Sequence, residues 1–313
     1  MEKINLTISS SPHIRTSKNV SSVMKDVFIA LLPAALAGVY YFRVPALINI
    51  VVAVFGAVAA EYAVQKLMKR EVTVKDFSAA VTGLLLAMNV PASLPWWITL
   101  IGAVFAIIVV KQIFGGLGHN FMNPALAARA VMLASWPVQM TNWTSPGADA
   151  VSAATPLAVL KGIEGTQAAN ITDMLIGNTG GCIGETSAIL LLLGGIYLIY
   201  RGVISYHIPA VYIATVAVLS FLFSGFQVTA ISYNVLAGGL MLGAFFMATD
   251  YASSPVNTKA QIVYALGCGL LTTVIRYFGG YPEGVSYSIL LMNVAAPLLD
   301  KYLVPKVFGE VAK

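Results

Sequence analysis

The sequence predicts an all-α polytopic membrane protein with about ten transmembrane helices. Of its 313 residues, 58% are hydrophobic and only 10% are charged, with a mean hydropathy of +0.82, whereas soluble domains carry about 25% charged residues. Apolar stretches long enough to cross a bilayer recur along the chain. Its two cysteines, Cys182 and Cys268, form no CxxC or Cys/His cluster. They predict neither a disulfide scaffold nor a zinc site.

Charges, prolines and glycines divide the apolar residues into two sets of five spans. The first set covers residues 27–42, 45–67, 76–90, 95–113 and 119–137, and the second covers 185–200, 206–223, 231–249, 259–277 and 284–300. Spans three and five are short or interrupted by small residues, so either is a candidate for a broken helix. The predicted regions are a cytoplasmic N-terminal segment without a cleavable signal (1–26), two membrane halves (27–137 and 185–304), an external loop (138–184) and a cytoplasmic tail (305–313).

Basic residues predict which side of the membrane each loop occupies. With ten spans and the N-terminus inside, fourteen lie at the inner face: Lys3, Arg15, Lys18, Lys25, Lys66, Lys69, Arg70, Lys75, Lys111, Arg201, Lys259, Lys301, Lys306 and Lys313. Arg43, Lys161 and Arg276 lie at the outer face, and Arg129 falls within span five. Cytoplasmic loops are enriched in Lys and Arg. Both termini are therefore expected in the cytoplasm, and the net charge of +5 bears on orientation rather than on nucleic-acid binding.

A weak sequence similarity between the two halves of the chain suggests an internal duplication. "TGLLLAMNVP" (82–91), "KQIFGG" (111–116) and "NFMNPA" (120–125) resemble "AGGLMLGAFFMATD" (237–250), "IRYFGG" (275–280) and "LLMNVAAP" (290–297). Five spans separate the copies, so equivalent helices would cross in opposite directions, as in the inverted repeats of many transporters. Chance similarity between apolar segments is the alternative.

The external loop contains the segment "DAVSAATPL" (149–157). Thr155 before Pro156 is typical of a helix start, with Thr as N-cap and Pro at the first helical position. A helix N-terminus also binds phosphate, because its free N–H groups and positive dipole end attract anions. The residues alone favour the structural cap and leave the phosphate role open.

Polar residues at membrane depth are the other candidates. In "GHNFMNPALAARA" (118–130), Asn123 is either a helix cap or a site residue, and Arg129 either snorkels or pairs with a carboxylate or a ligand's polar edge. At the inner end of span eight, Thr249 and Asp250 are either a solvated terminus or a site, since a carboxylate there opposes the helix dipole. Glu61 in span two is either part of an ion relay or a partner of the Lys66–Arg70 cluster.

These motifs resemble one family over essentially the whole chain. "DAVSAATPL" looks like the flavin-attachment motif of the Rnf complex D subunit, which is related to the B subunit of the sodium-pumping NADH:quinone oxidoreductase. The other matching stretches are "SPHIRT" (11–16), "GGLGHNFMNPALAARA" (115–130) and "FFMATDYASSPV" (246–256). The family motif often has Gly where Ala153 stands, which leaves the threonine in place.

The resemblance implies FMN joined through a phosphoester to Thr155 by a separate flavin transferase. It also implies riboflavin as a second, non-covalent flavin. We expect Ser152, Asn120, Asn123, Arg129, Thr249 and Asp250 at cofactor-binding sites, and neither a catalytic residue nor a metal ligand.

The implied function is electron transfer between ferredoxin and NAD, coupled to Na⁺ or H⁺ export. The chain would do this as a subunit of an Rnf-type translocase whose partners hold iron–sulfur clusters and further flavins. It would be a multi-pass protein of the bacterial or archaeal plasma membrane, embedded in the lipid bilayer.

Two alternatives stay open. A small-solute transporter or channel would have the same span count and repeats. The quinone-reducing pump's B subunit has the same motifs, but a long N-terminal extension is expected of it, and its absence here favours the Rnf interpretation.

Overall fold

The computed structural model describes residues 18–146, 155–157, 170–185, 187–280 and 283–304. Within these ranges the chain is almost entirely helical, and an isolated antiparallel bridge joins Pro91 and Cys182. The first half comprises α1 (Val20–Leu67), α2 (Ser78–Met88), α3 (Trp96–Phe105), α4 (Pro124–Ser135) and α5 (Pro137–Met140). The second half comprises α6 (Ile171–Ile176), α7 (Ala188–Tyr200), α8 (His207–Phe223), α9 (Val228–Leu236), α10 (Leu240–Leu242), α11 (Thr258–Phe278) and α12 (Val285–Tyr302).

Four shorter elements join these helices. Two are π-helical segments with five-residue hydrogen bonding: Ala106–Gln112 extends α3, and Gly243–Met247 extends α10. The other two are 3₁₀ turns, Val74–Asp76 before α2 and Ile183–Glu185 before α7.

Each of the ten predicted spans coincides with helical residues. Spans one and two form the single run α1, which breaks at Arg43, where φ is 55° and ψ is −137°. Span eight is the pair α9 and α10 with its π-helical extension, bent by 60°. Spans three and five are short, as predicted, with 11 residues in α2 and 12 in α4.

The described helices agree with a polytopic membrane protein. By length and composition, α1 and α11 can each cross a membrane, and the bent pair α9–α10 is a third candidate when treated as one broken span. Helices α2, α4, α7, α8 and α3 with its extension are shorter apolar segments. The nearly all-helical fold is thus confirmed, while the count of ten crossings and the domain limits stay predictions.

Close helix packing joins the two halves. α1 packs along α2, α3 and α7, while α4 contacts α12. In α7, a Cβ on Gly194 would clash with the carbonyl oxygen of Ala30 in α1, so this glycine allows the backbones to approach, as small residues do in membrane interfaces. Many large apolar side chains face outward, including Leu36, Phe55 and Leu270, which suits a lipid-covered surface.

The similar sequence stretches of the two halves occupy only partly equivalent positions in their helices. "KQIFGG" ends the extension of α3, and "IRYFGG" ends α11. However, "MNPA" begins α4, whereas "MNVAAP" lies inside α12. The duplication therefore stays a prediction.

Candidate functional site

Four of the predicted site residues line one internal cavity, called here the inner pocket. Asn120, Asn123, Thr249 and Asp250 share its wall with Ser78 and Lys111 and with apolar side chains. The cavity holds about 750 Å³ of unfilled space, counting the part open to solvent.

The two asparagines lie where the chain enters α4. Asn123 is the N-cap of α4, because its side-chain oxygen accepts hydrogen bonds from the backbone N–H groups of Ala125 and Leu126 at 3.1 and 3.2 Å. Its amide nitrogen donates across the halves to the carbonyl of Met247 at 3.4 Å. The capping role predicted for Asn123 is therefore confirmed, and the same residue also faces the inner pocket.

Thr249 and Asp250 enter the pocket from the end of the second π-helical segment. The Thr249 hydroxyl donates to the carbonyl of Phe245 at 2.7 Å, and Ser253 donates to the Asp250 carboxylate at 2.9 Å. Burial raises the pKa of the Asp250 carboxyl, while Ser253, Asn120 and the positive charge of Lys111 oppose that rise. Asp250 is thus half-buried and lines the pocket.

Lys111 is a pocket residue that the sequence did not reveal. It was predicted to be a basic residue of the inner face, yet it is only 2% exposed. Its ammonium lies 2.7 Å from Glu61 and 2.6 Å from Ser78. Glu61 therefore pairs with Lys111, and the alternative that it reaches for the Lys66–Arg70 cluster is wrong. A buried carboxylate in a span needs a partner, and this rule was the available signal.

Arg129 is absent from the inner pocket's wall and belongs to a second group, called here the outer cluster. It is 5% exposed, so the snorkelling alternative is wrong. Its guanidinium forms an ion pair with Glu283 and donates to the Ser286 hydroxyl at 2.6 Å and to the Cys182 sulfur at 3.5 Å. The predicted carboxylate partner exists, although the sequence did not identify it as Glu283.

A second buried arginine completes the outer cluster. Arg276, at the end of α11, donates to carbonyls that follow the last turn of α9, those of Ala237 at 3.3 Å and Gly238 at 3.0 Å. It also donates to the carbonyl of Glu283 at 3.2 Å. A cation at a helix C-terminus is favourable, so Arg276 stabilises the break between α9 and α10.

Thr155, the predicted attachment residue, lies two residues before Leu157, which approaches this cluster. Thr155 is 5% exposed and precedes the helical residues Pro156 and Leu157. Leu157 packs with Met174 and Ala237. A Cβ on Gly238 would meet both Leu157 and the guanidinium of Arg276, so the motif and the arginine approach the same glycine. Ser152 and the rest of the predicted helix after Leu157 lie outside the described residues.

Cys182, Glu185 and Glu283 place their ligand atoms within 4.8 Å of one another. The two carboxylates lie among two guanidinium groups, those of Arg129 and Arg276. The positive charges of the two guanidinium groups offset the negative charge of these carboxylates.

The fold and these sites define a class: a polytopic helical membrane protein with an inner pocket of mixed polar and apolar lining and an ion-paired outer cluster. The profile of the NQR2, RnfD, RnfE family matches residues 7–309, and the chain belongs to this family.

Three relatives illustrate the match. The D subunit of the Na(+)-translocating ferredoxin:NAD(+) oxidoreductase complex from Acetobacterium woodii is 53% identical over 312 residues, covering 99% of this chain and 97% of the relative. The D subunit of the proton-translocating ferredoxin:NAD(+) oxidoreductase complex from Clostridium ljungdahlii is 47% identical, covering 99% and 98%. The D subunit of the ion-translocating oxidoreductase complex from Alcanivorax borkumensis is 37% identical, covering 98% of each.

Proposed function

We propose that this chain is the D subunit of an Rnf-type complex and relays electrons between ferredoxin and NAD, coupled to ion export. The support is the family membership together with the two relatives named for ferredoxin:NAD(+) oxidoreductase activity. Those two relatives are named for different ions, Na⁺ and H⁺, so their names leave the coupling ion open. The partners are the complex's iron–sulfur and flavin subunits, and the setting is the plasma membrane.

The proposal places covalent FMN on Thr155, attached by a flavin transferase. The observation that carries it is the threonine of the flavin motif, held beside the outer cluster by the packing of Leu157. Pro156 fixes the backbone at a helix start, where free N–H groups suit a phosphate. A flavin bound here supplies the electron-transfer chemistry, and the chain fixes its place.

A second, non-covalent flavin, riboflavin, is proposed for the inner pocket. Amide, hydroxyl and carboxylate groups of Asn120, Asn123, Thr249 and Asp250 line one part of the wall. Apolar side chains such as Leu85 and Phe246 line the rest. This combination suits a flat ring system with polar edges, because apolar walls bury its faces and a few polar groups orient it.

Intact-mass measurement of protein made together with its flavin transferase tests the attachment. Wild type is expected to carry one added FMN residue, and Thr155→Val is expected to lose it, because valine keeps the shape of threonine without the hydroxyl. Thr155→Ser should keep part of the modification, and the matched control Ser152→Ala should keep it. A modification that persists in Thr155→Val, or never appears in wild type, would favour the transporter alternative.

The proposed orientation has both termini in the cytoplasm and residues 138–184 outside, so electrons from a cytoplasmic donor would cross the membrane to reach Thr155. A membrane-impermeant thiol reagent on intact cells should label Ser145→Cys and leave Lys69→Cys unlabelled. The native thiols, Cys182 and Cys268, are both buried, which keeps the background low. The opposite labelling pattern would reverse the orientation.

A further inference from the structure

Lys111 brings a positive charge to the wall of the inner pocket. It lines the cavity beside Ser78, and its ammonium binds Glu61 and Ser78 at 2.7 and 2.6 Å. An ammonium has three N–H donors. Two of them have partners among the described residues, which leaves one N–H available to a molecule in the pocket.

The π-helical extension of α3 places this charge. Lys111 and Gln112 are consecutive, yet both are 2% exposed and both donate to the same oxygen of Glu61, Gln112 also at 2.7 Å. Residues at i and i+1 of a regular helix do not face one target, and π-helical turns of this kind are frequent at functional sites. The other oxygen of Glu61 is buried without a partner among the described residues. The carboxylate is therefore held from one side, next to the ammonium.

We propose that Lys111 compensates the negative charge gained by the inner-pocket ligand on reduction, and so sets its reduction potential. The inference rests on the proposed second flavin. An isoalloxazine that takes two electrons and one proton gains one net negative charge. In the complex the electrons come from reduced ferredoxin through one-electron carriers, and the proton comes from water. An ammonium in this low-dielectric wall favours the charged, reduced form over the neutral, oxidised form.

Because Glu61 carries the opposite charge to Lys111 in the same ion pair, the two residues should shift the flavin's midpoint potential in opposite directions. The Glu61 carboxylate opposes the field of Lys111 at the pocket, because the two groups are in contact. Neutralising Lys111 should lower the flavin's midpoint potential, whereas neutralising Glu61 should raise it. A purely structural role of the pair would weaken binding of both redox forms alike and leave the potential unchanged.

The experiment is a potentiometric titration of the full-length chain carrying Thr155→Val, so that only the pocket flavin reports. Dithionite with mediators is the reductant. Adding Lys111→Met should weaken binding of the reduced flavin relative to the oxidised flavin at least tenfold, which lowers the two-electron potential by about 30 mV. Glu61→Gln should shift it upward, and Lys111→Arg should restore most of the wild-type value. The control Lys66→Met, at an exposed lysine of α1, should change nothing.

Lys111→Met leaves Glu61 buried without its cation and can fail to accumulate. The pair Glu61→Gln and Glu61→Gln/Lys111→Met then differs only by the lysine charge, and the double variant should have the lower potential. Equal potentials in that pair, with flavin bound in both, would overturn the role of Lys111 alone. Absence of any releasable flavin in the parent protein would overturn the proposed second flavin together with it.

Discussion

The inner pocket and the outer cluster both contain paired charges, but only those of the inner pocket border a cavity. In the outer cluster, Arg129 and Arg276 direct their guanidinium groups at protein partners, namely Glu283, Ser286 and backbone carbonyls. In the inner pocket, Lys111 pairs with Glu61 and Asp250 accepts a hydrogen bond from Ser253, but both residues also line unfilled space. Charges that satisfy one another build rigid structure, whereas charges that border a cavity can act on a ligand. We therefore expect the outer cluster to stabilise the fold and the inner pocket to act on a ligand.

The largest effect on stability is expected in the outer cluster. Arg129→Met leaves Glu283 mostly buried without its partner, and breaking such a pair costs about 3–5 kcal/mol. Chemical unfolding of the purified protein in detergent should show this loss. The double variant Arg129→Met/Glu283→Gln should recover most of it, because no uncompensated charge remains.

Arg201 provides the matched control, because it pairs with Asp26 while its own side chain is 51% exposed. An exposed ion pair contributes about 0–1 kcal/mol, so Arg201→Met should have little effect. A double variant of the Arg129 pair that unfolds as easily as the single variant would show that the ion pair is not what stabilises this cluster.

Helix positions could be predicted because they depend on local composition. Hydropathy, together with the positions of Pro and Gly, predicted the limits of α8 and α11 to within a residue or two of those observed. The break at Arg43 falls in the predicted gap between spans one and two. The bend within span eight was not predicted, because spans three and five were the candidates for a broken helix, although Gly238 and Gly239 interrupt the apolar residues there. The π-helical segments were not predicted from hydropathy, because hydropathy does not distinguish π-helical from α-helical hydrogen bonding.

The sites were predictable only in part, because pairing across the fold is not encoded locally. The family motif pointed to Asn120, Asn123, Thr249 and Asp250, which share one pocket. Arg129 was expected to face a ligand's polar edge or a carboxylate, and its partner is the carboxylate of Glu283, 154 residues away in the sequence. Lys111 was predicted at the membrane surface, because a lysine at the end of an apolar run typically lies there. The direction in which its side chain points depends instead on the π-helical turn, which the sequence did not reveal.

The separation of the two sites can be tested by counting flavin in two fractions. Acid denaturation of wild-type protein should release about one flavin per chain and leave one attached, because only the phosphoester survives. Thr155→Val should lose the attached fraction alone. Ile204→Trp, which places a large ring at the wall of the inner pocket, should lose the released fraction alone. Val218→Trp, at an outward-facing position of α8, should lose neither.

This measurement tests most directly the claim that the chain holds one flavin outside and a second one inside. The account predicts that each variant removes one fraction and that the other stays near one per chain. It would be contradicted if wild type released no flavin near stoichiometric yield, or if the two fractions fell together in either variant.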